Sequence, residues 1–276
     1  MSLPATTTAS PIGALERIDA AKRLEALSLV REGRVYDLAR VLDETVPVFP
    51  GRSFHQTLVT TAHHANGGGL GDNQVNWITE VYSSTSQLGT HLDSLAHLQR
   101  GDRGYGGLPV AELAGVAGLT NFGAETIPQV VTRAWLVDVA PLAAGEVIGL
   151  EDVAHISPNP GDAVLFHTGW GRLWDNPDAY LAGQPGPGME LADWLARRGV
   201  SLTGCDTWSY GPVPAEDPAR PFEVPQTLNV DHGVFVVENL DLSELATDGV
   251  REFCLVVTHP KLRGATGAWT APIALV

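Results

Sequence analysis

The chain has 276 residues, 44% of them hydrophobic, a composition typical of a soluble globular protein with a substantial core. Its 17 basic and 32 acidic side chains give a formal net charge of −15, which repels nucleic-acid phosphates and anionic lipid heads and argues against both as partners. No apolar run reaches the roughly 18 residues that a membrane span needs, and no secretory leader is recognisable, so we expect a cytoplasmic protein. Two cysteines without CxxC spacing exclude a thiolate metal site.

The predicted secondary structure begins after a small, polar segment, residues 1–14, which we expect to be a disordered tail before one domain, residues 15–276. Apolar residues at helical spacing predict a first helix over residues 18–32. Strands are predicted over residues 34–38, 130–139, 163–167, 201–206, 234–238 and 253–258, and further helices over 108–114, 149–156, 189–199 and 242–247. Several strands are continuous apolar runs, typical of strands buried on both faces. Their alternation with helices predicts a single α/β domain with a mixed sheet.

Residues 86–97, SQLGTHLDSLAH, concentrate metal-binding side chains. In an extended chain Gln87, His91 and Asp93 project to one side. His97 follows Asp93 by four residues and stays on that side whether the chain is extended or helical. Imidazole and carboxylate donors suit Zn²⁺, Mn²⁺ or Fe²⁺. The spacing alone fits equally well a core histidine and a surface histidine that flank a capping aspartate.

The stretch GTHLDSLAH resembles the signature His-x-Gly-Thr-His-x-Asp-x-Pro-x-His of the cyclase family of metal-dependent hydrolases, which includes bacterial kynurenine formamidase, isatin hydrolase and a trans-dienelactone hydrolase. Other segments resemble family blocks in the same order, among them VPVFPG from residue 46, GDAVL from 161, GCDT from 204, VENL from 237 and KLRGATG from 261. The resemblance extends from about residue 34 to the C-terminus. It implies a swivelling β/β/α fold and a site for one or two divalent ions, Zn²⁺ or Mn²⁺.

The resemblance implies that Gln87, His91 and Asp93 hold a first ion and that Asp93, His97 and Glu238 hold a second. Gln87 stands where many family members have histidine, and its amide oxygen favours Mn²⁺ or a weaker zinc site. Glu238 ends the apolar run VFVVE. Because buried carboxylates are rare without a partner, we expect Glu238 to take part in metal binding and catalysis.

Residues expected to contact the substrate lie outside the motif. Gln226 falls where formamidase-like members place a catalytic histidine, and since glutamine cannot shuttle a proton, we expect it to orient or polarise the substrate. Four further candidates are Phe49, Trp77, Asp206 and His259. Phe49 and His259 are selected by their positions relative to the family blocks, Trp77 by its neighbourhood in the sequence, and Asp206 because it ends an apolar run.

These observations favour a metal-dependent hydrolase that uses a metal-activated water to open a small cyclic amide or lactone, or to cleave an aryl formamide. The glutamine in the motif favours a lactone or cyclic amide. Two alternatives stay open, a catalytically weakened ligand-binding member and a polyketide-type cyclase. The expected partners are a small-molecule substrate and further copies of the chain, in a dimer or tetramer.

Overall fold

The computed structural model describes residues 9–60 and 69–276 and is built around a nine-stranded mixed sheet. The strands are β1 (Val35–Asp37), β2 (Phe54–Thr60), β3 (Thr79–Ser84), β4 (His91–Asp93), β5 (Ala114–Gly115), β6 (Gly118–Leu119), β7 (Val130–Asp138), β8 (Val147–Ile148), β9 (Ala163–His167), β10 (Gly186–Pro187), β11 (Leu202–Cys205), β12 (Phe235–Glu238), β13 (Glu252–Val257), β14 (Gly267–Trp269) and β15 (Ile273–Leu275). The α-helices are α1 (Ala20–Leu27), α2 (Val110–Leu113), α3 (Pro177–Leu181), α4 (Met189–Arg197), α5 (Glu223–Gln226) and α6 (Ser243–Thr247).

The large sheet has the strand order β1-β15-β13-β7-β9-β11-β12-β4-β14. Its central strands β7, β9, β11 and β12 are parallel, and antiparallel strands flank them on both sides. Along β9, Ala163 and Leu165 enter one hydrophobic core, while Val164 and Phe166 enter a second core. The sheet is therefore buried on both faces, and the prediction of an α/β domain with a mixed sheet is confirmed.

The first helix is shorter than predicted, because it spans only Ala20–Leu27. Leu24, one of its apolar residues, is not buried, and its side chain is 67% exposed. Lys22 is buried instead, because its ammonium group forms an ion pair with the fully buried carboxylate of Asp162. The helix predicted over residues 149–156 is also reduced, to a single 3-10 turn, Glu151–Val153.

A hairpin of β2 and β3 escapes the sequence analysis. The two strands pair only with each other, and their apolar side chains Leu58, Val81 and Tyr82 are more than half exposed. Such an isolated hairpin gives no continuous apolar run that would predict it.

The expected dimer or tetramer stays a prediction.

The N-terminal boundary also differs from the sequence prediction. Residues 1–8 of the predicted tail lie outside the described residues. The 3-10 helix Gly13–Arg17 crosses the predicted boundary at residue 15, and within it Ala14 is buried and donates its N–H to the carbonyl oxygen of Gly233 at 2.8 Å. The packed chain thus includes residues assigned to the tail. Within the described ranges, every helix is too short or too polar to cross a membrane.

Candidate metal centre

Three ligating side chains converge where β4 runs antiparallel to β12. His91 is the register partner of Glu238, and Asp93 projects to the same face because it lies two residues further along β4. Leu92, between them, enters the hydrophobic core on the opposite face. Nε2 of His91 lies 3.2 Å from Oε2 of Glu238 and 3.7 Å from Oδ1 of Asp93. One ligand atom from each residue lies within 4.8 Å of the others, so a single ion can contact all three.

The hydrogen bonds of His91 prepare it to bind a cation. Its Nδ1 lies 2.8 Å from the carbonyl oxygen of Gly89, which can only accept, so Nδ1 carries a proton and, in the neutral ring, Nε2 carries the lone pair that a metal ion needs. Both Nε2 of His91 and Oδ1 of Asp93 are buried without a hydrogen-bond partner. Buried acceptors left unpaired are costly, and a divalent cation satisfies both at once. The residues present therefore fit a metal ion.

The electrostatics of the three residues lead to the same conclusion. Burial raises the pKa of Glu238, and the adjacent Asp93 carboxylate adds to this effect while His91 opposes it. Burial alone would lower the pKa of His91, but Glu238 and Asp93 outweigh it and raise that pKa. Two carboxylates held together away from water favour a bound cation.

His97 lies beside this cluster rather than in it. Its Nε2 is 3.9 Å from Oδ1 of Asp93, and its side chain is 22% exposed. Oδ1 of Asp93 thus stands between the two histidines. The resemblance assigned His91 and Glu238 to different ions, whereas the structure groups them around one position.

Gln87 is buried next to the cluster and is held by Thr266, the residue before β14. Its Nε2 donates to Oγ1 of Thr266 at 2.9 Å. Gly267, the register partner of Asp93, makes room for it, because a Cβ there would lie 2.7 Å from Nε2 of Gln87 and 3.4 Å from Oδ1 of Asp93. The amide predicted as a ligand therefore adjoins the Asp93 carboxylate.

A cavity of about 150 Å³ opens against Asp93, His97 and Glu238. Three aromatic side chains, Phe49, Trp208 and Phe222, line the same cavity and are called the aromatic wall below. Phe49 stacks on Trp208 with ring centroids 5.5 Å apart and an interplanar angle of 27°, and Phe222 meets Trp208 edge-on at 6.1 Å. The cavity is lined further by Arg52, Leu98, Ser209 and Pro225. Aromatic side chains beside candidate ligating groups suit the binding of a flat ring.

Phe49 thus lies where the sequence predicted it, but Trp77 and His259 do not line this cavity. Trp77 lies just before the hairpin strand β3 and is 51% exposed. His259 is buried elsewhere, and its Nε2 donates to the carbonyl oxygen of Ala124 at 3.1 Å. Burial is the main cause of the lowered pKa of His259.

The side chains of Asp206 and Gln226 form hydrogen bonds to other residues of the protein. One carboxylate oxygen of Asp206 accepts the N–H and O–H of Thr168, and the other accepts the N–H of Gly171 at 3.2 Å. Asp206 lines a separate cavity with His167. Gln226 donates through Nε2 to the carbonyl oxygen of Gln99 at 2.7 Å, while its neighbour Pro225 lines the metal-side cavity. Neither Asp206 nor Gln226 lines the cavity beside the metal cluster.

Sequence reasoning missed Arg52, Trp208, Phe222 and Asn239. Arg52 follows the Pro50-Gly51 turn of a family-like block, and Asn239 follows Glu238, so position in the sequence was the available signal for these two. Trp208 and Phe222 lie in irregular segments that no periodicity marks. Phe222 and Asn239 both have a φ of 56°, an unusual left-handed backbone for non-glycine residues.

Comparisons with known proteins identify a matching family model and solved structures of similar fold. The family model described as "Putative cyclase" matches residues 36–212. A solved structure described as a novel cyclase is 26% identical, with a TM-score of 0.86 over 97% of this chain and 96% of that chain. Isatin hydrolase A from Ralstonia solanacearum is 20% identical, with a TM-score of 0.67 over 99% and 100% of the two chains. A "predicted metal-dependent hydrolase" from Bacillus stearothermophilus is 21% identical, with a TM-score of 0.59 over 87% and 97%. A search of curated proteins found no match.

Proposed function

The chain belongs to the cyclase family, and from this premise we propose that it is a metal-dependent hydrolase that opens a small cyclic amide or lactone, or cleaves an aryl formamide. The observation that carries the proposal is the meeting of His91, Asp93 and Glu238 around unpaired buried ligand atoms at the edge of a ring-sized cavity. The isatin hydrolases share the fold, and their name supports a cyclic amide as one substrate type.

The residues of the site have separate roles in such a reaction. A bound Zn²⁺ or Mn²⁺ lowers the pKa of water and polarises a carbonyl group. His91, Asp93 and Glu238 would hold that ion, and His97 would be a further ligand from the rim. The aromatic wall packs against the substrate ring and excludes water from the cavity. Together they place a carbonyl carbon next to the ligating groups.

Metal analysis and activity assays on the same preparations test the proposal. We expect one or two ions per chain, and hydrolysis of at least one of isatin, a dienelactone and formanilide that depends on added Mn²⁺ or Zn²⁺. His91→Ala and Asp93→Ala should lose both metal and turnover, whereas His155→Ala, which alters an exposed histidine, should keep both. Metal retained without any turnover would favour the ligand-binding alternative, and ring closure as the observed reaction would favour a cyclase.

A further inference from the structure

We propose that Arg52 binds a carboxylate carried by the substrate, so that the preferred substrates are ring compounds with one anionic substituent. This inference rests on the proposed function and names the substrate class of the same cavity. It starts from the position of Arg52, a half-buried side chain that lines the cavity together with Asp93, His97 and Glu238.

The guanidinium group of Arg52 is held in place by neutral groups. Its Nη1 donates to the backbone carbonyl oxygen of Gln87. Its Cζ lies 5.7 Å from the ring centroid of Phe49, which stacks in turn on Trp208. These contacts fix the orientation of the side chain and leave its positive charge uncompensated.

Arg52 has no acidic partner. Other part-buried arginines are ion-paired, Arg40 with Asp241 and Arg133 with Glu25, but no carboxylate of the described residues forms an ion pair with Arg52. The remaining parts of the chain, residues 1–8 and 61–68, contain no aspartate or glutamate. An unpaired cation in a partly enclosed cavity indicates that its counter-ion comes with the ligand.

The charge balance of the cavity specifies that ligand further. Asp93 and Glu238 together match the charge of one divalent ion that carries a neutral water, so Arg52 leaves the cavity in that state with one positive charge. The aromatic wall lies next to Arg52, because Phe49 belongs to the wall and also contacts the guanidinium group. A ring that packs on the wall therefore presents a substituent to Arg52. A monoanionic aromatic or small cyclic compound satisfies both surfaces.

Binding of benzoate and its neutral analogue benzamide to the metal-loaded protein tests the inference by calorimetry. We expect benzoate to bind more tightly than benzamide, and Arg52→Met to reduce that preference by at least about tenfold, because a charge-assisted hydrogen bond is lost. Arg52→Lys, which keeps the charge, should retain part of it. Arg23→Met removes an exposed arginine from α1 and should bind both compounds like the wild type.

Kinetics give a second readout. For formanilide and its carboxylated analogue 3-formamidobenzoate, Arg52→Met should lower the ratio of kcat/KM for the acid over the neutral compound by at least about tenfold. If Arg52→Met and Arg23→Met show the same preference for benzoate, Arg52 does not bind the anion and the inference is wrong. A protein that holds no metal refutes the proposed function instead, and metal content, measured first on every variant, separates the two failures.

Discussion

Asn239 donates its side-chain amide to the carbonyl oxygen of Gly89 at 2.9 Å, the same oxygen that accepts from Nδ1 of His91. Asn239 directly follows Glu238, so this bond ties the ends of two ligand-bearing strands together. Its Oδ1 accepts the hydroxyl proton of Tyr180 at 2.8 Å, and both side chains are buried. The arrangement fixes the carbonyl that sets the tautomer of His91.

We therefore predict that Asn239→Gly weakens metal binding by about tenfold or more, in the range found when outer partners of ligating histidines are lost. Glycine tolerates the left-handed backbone at this position, so the variant removes the amide without adding backbone strain. Competition with a chelator measures the affinity, and ¹⁵N NMR of the metal-free protein reports the His91 tautomer. Tyr180→Phe, which keeps the Asn239 amide, should have a smaller effect. Unchanged affinity and tautomer in Asn239→Gly would show that Gly89 is held by the backbone alone.

Removal of a ligand charge should affect the metal-free and metal-loaded protein in opposite directions. Asp93→Asn relieves repulsion between two buried carboxylates, so the free energy of unfolding of the metal-free protein should rise by about 1 kcal/mol at a pH where His91 is neutral. At a metal concentration of 100 times Kd, binding stabilises the wild type by about 2.7 kcal/mol but no longer stabilises the variant, so the variant should then be about 1.7 kcal/mol less stable than the wild type.

Urea unfolding with and without a chelator measures both effects. Asp175→Asn, the same change at an exposed position, should alter neither value. If Asp93→Asn lowered the free energy of unfolding of the metal-free protein, the Asp93 carboxylate would contribute to the stability of the fold rather than to metal binding.

The ligands differ in how far the sequence could locate them. His91 and Asp93 lie within one short extended segment, where strand alternation fixes which side chains share a face. Glu238 lies nearly 150 residues further along the chain and comes beside them only because β12 pairs with β4, so the family resemblance was needed to find it. The grouping of all three around one position is a property of the register between β4 and β12, which the sequence does not display.

The substrate side of the cavity could not be predicted in the same way. The aromatic wall combines residues from three separate irregular segments, and no periodicity connects Phe49 with Trp208 and Phe222. Trp77 was selected for its closeness to the motif in the sequence, but it is half exposed beside the hairpin and does not line the cavity. Long-range packing, which decides these positions, leaves no local pattern.

Gly267→Ala should damage the site from the neighbouring strand. The added methyl group would lie 2.7 Å from Nε2 of Gln87 and 2.9 Å from the backbone oxygen of Leu92, closer than packed atoms allow. We expect the strain to cost about 1–3 kcal/mol of stability. Metal affinity should fall as well, because β14 pairs directly with Asp93. Gly115→Ala, with nothing within 4 Å of the new methyl group, is the matched control for urea unfolding. Equal stability of the two variants would mean that β14 can shift freely.

His259 should make stability depend on pH in a defined direction. Its burial lowers its pKa below the ordinary value of 6.5, so the folded protein resists protonation at this residue. As the pH falls through 6.5, the histidine of the unfolded chain takes up a proton first, and the free energy of unfolding should decrease until His259 itself is protonated. His259→Gln can still donate to the carbonyl oxygen of Ala124 and should remove that part of the pH dependence. Urea unfolding between pH 5 and 8 measures the slope, with His155→Gln as the exposed control. The same slope in wild type and His259→Gln would place the responsible titration elsewhere in the chain.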